Sequence, residues 1–231
     1  MNLFLLRYED LLTISLLILS IIVVTAAHFY IKKTFADQKT NKTKSGITGF
    51  EAARKMLDKN GLQSIHIVEV KQELSDHYDP TRKVIRLSTP IFHDSSIASV
   101  AIAAHEAGHA VQDKEGYIFM RIRAALVPVV KLVSYMGYFA IIVAIFAGIT
   151  GYLMIGIYML VATLIFQLVT LPVEFDASKR AQADLVSLGV VASDEEEKVK
   201  TMLTAAALTY VAGLISTLLN LLRLILMARR R

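Results

Sequence analysis

The chain has 231 residues, with 25 Lys and Arg against 20 Asp and Glu, a net charge of +5 and no cysteine. Three runs, residues 11–31, 132–173 and 201–222, contain no Asp, Glu, Lys or Arg over 21, 42 and 22 positions. A soluble domain seldom leaves so long a run uncharged, and about 20 apolar residues in a helix cross a bilayer, so an ordinary soluble enzyme is excluded. Without cysteine there is no disulfide framework, thiolate zinc site or Cys nucleophile.

The uncharged runs divide the chain. Residues 1–31 read as an N-terminal transmembrane anchor. Thr25-Ala26-Ala27 offers a signal-peptide cleavage site, but the long apolar run ending in Lys32-Lys33 favours a retained span. Residues 32–131 form a cytoplasmic part, 132–173 a transmembrane hairpin, 174–200 a cytoplasmic helix and 201–231 a C-terminal hydrophobic span. The expected break in the hairpin is Gly148-Ile149-Thr150-Gly151.

Within the polar part, residues 34–43 read as a short Lys-rich linker. Phe50, Ala53 and Met56/Leu57 have helical spacing over residues 48–57, stopped by Asn60-Gly61. Residues 65–70 alternate as a half-buried strand, and residues 84–87 form a second that pairs with it as a hairpin. Between them, residues 75–82 read as a turn containing Asp76, Asp79 and Pro80. Asp94-Ser95-Ser96 supplies N-caps for a helix from residue 97 through Gln112, ended by Gly116. A capping box from Ser193 to Glu196 opens the last helix.

The strongest local pattern is His105-Glu106-Ala107-Gly108-His109. Residues four apart share a helix face, so His105 and His109 can offer two imidazoles to one ion. Glu106, about 100° round from His105 on the 3.6-residue turn, can reach a water on that ion without ligating it. Zinc acidifies such a water, and Glu106 would take its proton as it attacks a carbonyl. Gly108 lets another backbone or a substrate approach the helix.

A catalytic zinc keeps three protein ligands and one open position. No third His follows at the spacing some zinc peptidases use, because Gln112 and Glu115 stand there. No later uncharged run contains an Asp. Glu174, in Leu171-Pro172-Val173-Glu174-Phe175-Asp176-Ala177-Ser178, is the best third ligand, since the hairpin returns the chain to the motif's membrane face. Ser178 shares Glu174's helix face. Asp176 points roughly opposite as a second-sphere or structural group, and Asp184 is a solvated or packing residue. In Asp76-His77-Tyr78-Asp79-Pro80, His77 or Tyr78 can donate to an oxyanion or bind substrate, or the turn can simply be held by its aspartates. His28, His66 and His93 read as structural positions.

Taken together with Thr48-Gly49-Phe50-Glu51-Ala52-Ala53-Arg54 and Asn60-Gly61-Leu62, these motifs resemble the YugP-type family of bacterial membrane zinc metallopeptidases, from about residue 48 to 188. More distantly the order of elements is similar to HtpX-type and Ste24-type peptidases. The resemblance implies a zinc-dependent membrane peptidase. In the distant families an Asp stands where this chain has Ser178, and a hydroxyl orients a ligand His more weakly than a carboxylate does.

The expected fold is therefore mainly α with a small β-hairpin or sheet: a multi-span membrane protein with a zincin-like catalytic domain. The expected activity is that of a zinc metalloendopeptidase, one zinc per chain, with His105, His109 and Glu174 as ligands and Glu106 as general base. Its partners are a protein or peptide substrate and the bilayer, with no nucleic acid. The rival reading is a non-proteolytic zinc-binding membrane adaptor or sensor; a small transporter would lack the usual intramembrane charges. By analogy with those similar peptidases, the strand at residues 84–87 offers its edge to an extended substrate. Lysine and arginine place both polar segments on the cytoplasmic side of a bacterial plasma membrane. Arg229-Arg230-Arg231 would then lie outside, against that rule, unless the last segment is re-entrant or earlier signals outweigh it.

Overall fold

The structure is a computed structural model that describes residues 8–72, 75–146 and 151–229. Helix α1 (Tyr8–Thr40) does not stop at the end of its apolar run but continues through the Lys-rich segment. No helix breaker occurs there, so the expected linker is helical to Thr40. Residues 41–45 then act as a strap. Ile97 N–H donates to the Asn41 carbonyl at 2.8 Å, Thr43 N–H to Ser95 at 2.9 Å and Ser45 Oγ to Val190 at 2.7 Å.

The chain groups into two compact units. One comprises Phe29–Arg121 and Leu171–Leu208; the other is made from the remaining portions of the four long helices. The first unit begins with the end of α1, followed by α2 (Gly49–Lys59), β1 (His66–Val70), β2 (His77–Asp79), β3 (Val84–Ser88), α3 (Thr89–His93) and α4 (Ile97–Glu115). Helix α5 (Ile118–Phe146) leaves it, and α6 (Tyr152–Ser187) and α7 (Glu196–Ala228) complete the fold.

In the second unit, α1, α6 and α7 belong to helices long and apolar enough to cross a membrane. Ile18, Phe139, Phe146 and Ile165 are half or more exposed. A water-facing surface rarely gathers such side chains. The expected hairpin break lies largely outside the described residues, of which only Gly151 is described. Helix α7 is continuous from Glu196 to Ala228, so the last run contains no re-entrant turn.

The sheet has the order β1-β3-β2. β1 runs parallel to β3, with Val68 opposite Arg86, and β2 runs antiparallel to it, with Tyr78 opposite Ile85. The expected hairpin of residues 65–70 with 84–87 is therefore corrected. Alternation marks a strand but not its direction, and the segment read as a turn contributes the true hairpin partner. The β2–β3 connection is made by Asp79, whose Oδ1 accepts from the amides of Thr81 and Arg82 at 3.0 Å. Lys83 completes it at φ +51°. Because β3 is central, its edge is not available to a substrate; the outer edge on that side belongs to β2.

Capping sets the helix starts. Thr48 and Glu51 form a reciprocal capping box on α2. The Ser96 side chain caps α4, and left-handed Gly116 ends it. The box expected at Ser193 and Glu196 is shifted by one residue: Glu195 Oε2 accepts from Ala192 N–H at 2.8 Å. Glu195 Oε1 takes the Lys44 amide at 2.8 Å, a long-range contact that local spacing does not reveal.

Helix α4 is the spine of the core. Its Ala98, Ala101, Ala103, Ala104 and Ala107 are fully buried, beside Met56 and Leu57 of α2 and Ile85 and Leu87 of β3. Small side chains let neighbouring backbones close in on it, as the next contacts show.

Candidate metal centre

Helix α4 carries His105, Glu106 and His109, and α6 carries Glu174 just beyond its apolar stretch. Ligand atoms of His105, His109 and Glu174 lie within 4.8 Å of one another. Glu174 Oε2 is 3.2 Å from His105 Nε2 and 3.7 Å from His109 Nε2. Tetrahedral zinc with ligands at about 2.0–2.2 Å separates its donors by about 3.3 Å. The observed separations bracket that value, so the donor set fits zinc. His109 and Glu174 are 7% and 2% exposed, deep enough for charge interactions to escape most screening by water.

Each imidazole is held through its other nitrogen. His105 Nδ1 lies 3.1 Å from Ser178 Oγ, and His109 Nδ1 lies 3.0 Å from Gln112 Oε1. Ser178 thus contacts His105 from the helix face it shares with Glu174. Gln112 is not among the site residues expected from sequence; its spacing of three from His109, which puts both on one helix face, is the available signal. Burial works against protonation of His109, but hydrogen bonding to Glu174 and the charges of Glu106 and Glu174 outweigh it and raise its pKa.

The approach of α6 to α4 depends on Gly108. A Cβ there would lie 2.7 Å from the Ala177 carbonyl oxygen and 3.2 Å from Ala177 Cα. Those are backbone atoms and cannot rotate away. Alanine normally stabilises a helix interior over glycine by about 1 kcal/mol. Here crowding reverses the sign: Gly108→Ala is expected to cost about 1–3 kcal/mol. It should also weaken zinc binding, because Glu174 and Ser178 move away with α6. A thermal melt and a chelator-competition titration check both; a stabilised variant with unchanged zinc affinity would refute this role.

Strand β2 meets the site through its backbone. Tyr78 N–H donates to Glu106 Oε2 at 2.9 Å. The Tyr78 hydroxyl donates to Asp113 at 2.6 Å, and Asp113 also pairs with Lys83. Burial, and then Asp113, push the Tyr78 pKa well up, so the phenol stays protonated. His77 Nδ1 faces the Ser75 carbonyl at 2.6 Å, which requires a proton on that nitrogen. Asp76 reaches across to the end of β3, accepting from Ser88 N–H at 2.7 Å and from Ser88 Oγ at 3.0 Å. Burial raises its pKa against those donors.

The other sequence candidates lie elsewhere. Asp184 accepts from Lys59 at 2.5 Å and from Asn60 at 3.0 Å, tying α6 to the end of α2. His93 pairs with Glu69 at 3.2 Å, His28 meets the Val24 carbonyl at 3.0 Å, and His66 is exposed on β1.

A small sheet beside a buried two-His, one-Glu cluster, with long apolar helices in the same chain, is the arrangement of a membrane-associated metal enzyme. The family described as "Putative neutral zinc metallopeptidase" matches residues 13–229, and the chain belongs to it. It is also 41% identical over 200 residues to the "Putative membrane protease YugP" of Bacillus subtilis (strain 168), covering 87% of this chain and 89% of that protein. No solved structure matches the chain.

Proposed function

We propose that the protein is a membrane-anchored zinc endopeptidase whose ion is held by His105, His109 and Glu174. The observation that carries this reading is the convergence of three donors, two of them buried and all within 4.8 Å of one another, from helices 65 residues apart in sequence between His109 and Glu174. Zinc bound there supplies Lewis acidity to a peptide carbonyl and makes an attacking water more acidic. Glu106 takes the proton of that water and afterwards gives it to the leaving amine. Its Oε2 is held by the Tyr78 amide, which leaves Oε1 to serve as the base.

An extended substrate lies along β2, the outer strand nearest Glu106. In this reading His77 and Tyr78 border the substrate rather than donate to the oxyanion, since their side-chain donors face Ser75 and Asp113. Losing an oxyanion donor typically costs about 10²–10³ in kcat. Tyr78→Phe is instead expected to keep cleavage within a few-fold of wild type while lowering stability by about 1 kcal/mol. A loss of kcat in the oxyanion range would restore the catalytic role of the hydroxyl.

Both halves of the site face the cytoplasm in this proposal, following the lysines around residues 32–44, with α5 and α6 as the membrane hairpin. The detergent-solubilised full chain should contain one zinc and cleave an unstructured protein. A chelator should abolish cleavage, and added zinc should restore it. A zinc-loaded chain that cleaves nothing would favour an adaptor or sensor, although such a protein needs no base beside its ligands.

A further inference from the structure

We propose that Asp176 is a positioning residue for His109, acting through the side-chain amide of Gln112, and that Arg180 holds Asp176 in that role. The proposal rests on the reading of His105, His109 and Glu174 as metal ligands. Gln112 is fully buried. Its Nε2 lies 2.8 Å from the Val173 carbonyl oxygen and 2.8 Å from Asp176 Oδ2. A carbonyl and a carboxylate only accept, so this end of the amide must be the NH₂ group. Flipping the amide would set its oxygen against two acceptors.

Gln112 Oε1 therefore faces His109 Nδ1, at 3.0 Å, and can only accept. Nδ1 must carry a hydrogen, so Nε2, which faces Glu174, is the nitrogen available to a metal. The tautomer needed for metal ligation is thus fixed by a hydrogen-bond chain that ends on an anion. Asp176 in turn accepts from Arg180 Nε at 2.6 Å, and Arg180 Nη1 pairs with Glu115 at 2.8 Å. His105 is treated differently. Its Nδ1 meets the Ser178 hydroxyl, which can donate or accept and so selects no tautomer. The carboxylate influence that Ser178 cannot supply to His105 reaches the site instead through His109.

The test uses the full chain in detergent, stripped of metal. Zinc affinity is read by chelator competition and ligand geometry by the visible spectrum of bound cobalt(II). Losing such a partner typically costs about 10–100-fold in metal affinity, and Asp176→Asn is expected at the lower end of that range with an altered cobalt spectrum. Gln112→Leu breaks the link while leaving the Asp176–Arg180 pair in place, and by itself it should weaken zinc binding and alter the cobalt spectrum. In that background Asp176→Asn should cost nothing further, because its route to His109 is already gone. A merely structural role for Asp176 predicts instead that the two losses multiply. Arg180→Gln, farther from the ligands, should weaken zinc binding a few-fold and guards against misfolding of the first variant.

Wild-type affinity and spectrum in Asp176→Asn and Arg180→Gln would overturn the proposal, as would losses that multiply in the Gln112→Leu, Asp176→Asn double variant. A wild-type chain that binds no metal would overturn the ligand assignment itself, which is a distinguishable failure.

Discussion

Glu106→Gln is expected to retain one zinc per chain and to lower peptide cleavage by about 10²–10⁴-fold, the usual contribution of a positioned general base. The substitution preserves volume and the anchoring contact. The Gln oxygen can still accept the Tyr78 amide that Glu106 Oε2 accepts at 2.9 Å, so β2 should keep its place beside α4. What is lost is the ability to take a proton. Glu106 lies outside the cluster formed by His105, His109 and Glu174, so metal content should not fall. Elemental analysis with an assay on an unstructured protein separates these quantities. A variant that cleaves at the wild-type rate would remove Glu106 from the mechanism, whatever its zinc content.

Glu174→Gln is expected to fail in the opposite way. It removes the anionic donor whose Oε2 lies 3.2 Å and 3.7 Å from the two imidazoles, and zinc affinity should fall by more than the 10–100-fold typical of an outer-sphere loss. The effect should be large because Glu174 is 2% exposed, and water can compensate little at that depth. Cleavage should vanish at limiting zinc and return in part at excess zinc. No zinc concentration should rescue Glu106→Gln, so the pair distinguishes ligand from base. Wild-type zinc affinity in Glu174→Gln would exclude Glu174 as a ligand.

Much of the candidate site is legible in the sequence. The His105/His109 pair depends only on helical spacing, and Glu174 follows from elimination together with the expectation of a hairpin that returns the chain to one face. Gly108 was readable as a point of close approach, though not as the place where the Ala177 backbone rests. Strand direction was harder. The residue alternation of β1 and β3 is the same whether they pair parallel or antiparallel, and β2 is too short, at three residues, to show a period. That strand carries the amide that holds Glu106, so the missed strand concealed the link between the sheet and the base. Glu195 was displaced by one position for a similar reason. Ser193-Asp194-Glu195-Glu196 offers two adjacent carboxylates to a local rule, and Glu195 is the one that holds both the Ala192 amide and the strap at Lys44.

Three uncharged runs in 231 residues determine the membrane character of the chain. The starts of α2 and α4 and the shared helix face of His105 and His109 are likewise set locally, because each depends on neighbours within a few positions. The tertiary structure decided which edge of the sheet meets Glu106, where α6 touches α4, and which hydrogen His109 carries. Those outcomes depend on groups far apart in sequence: Tyr78 with Glu106, Gly108 with Ala177, and Gln112 with Asp176. Such pairs leave no period in the chain, since packing alone brings them together.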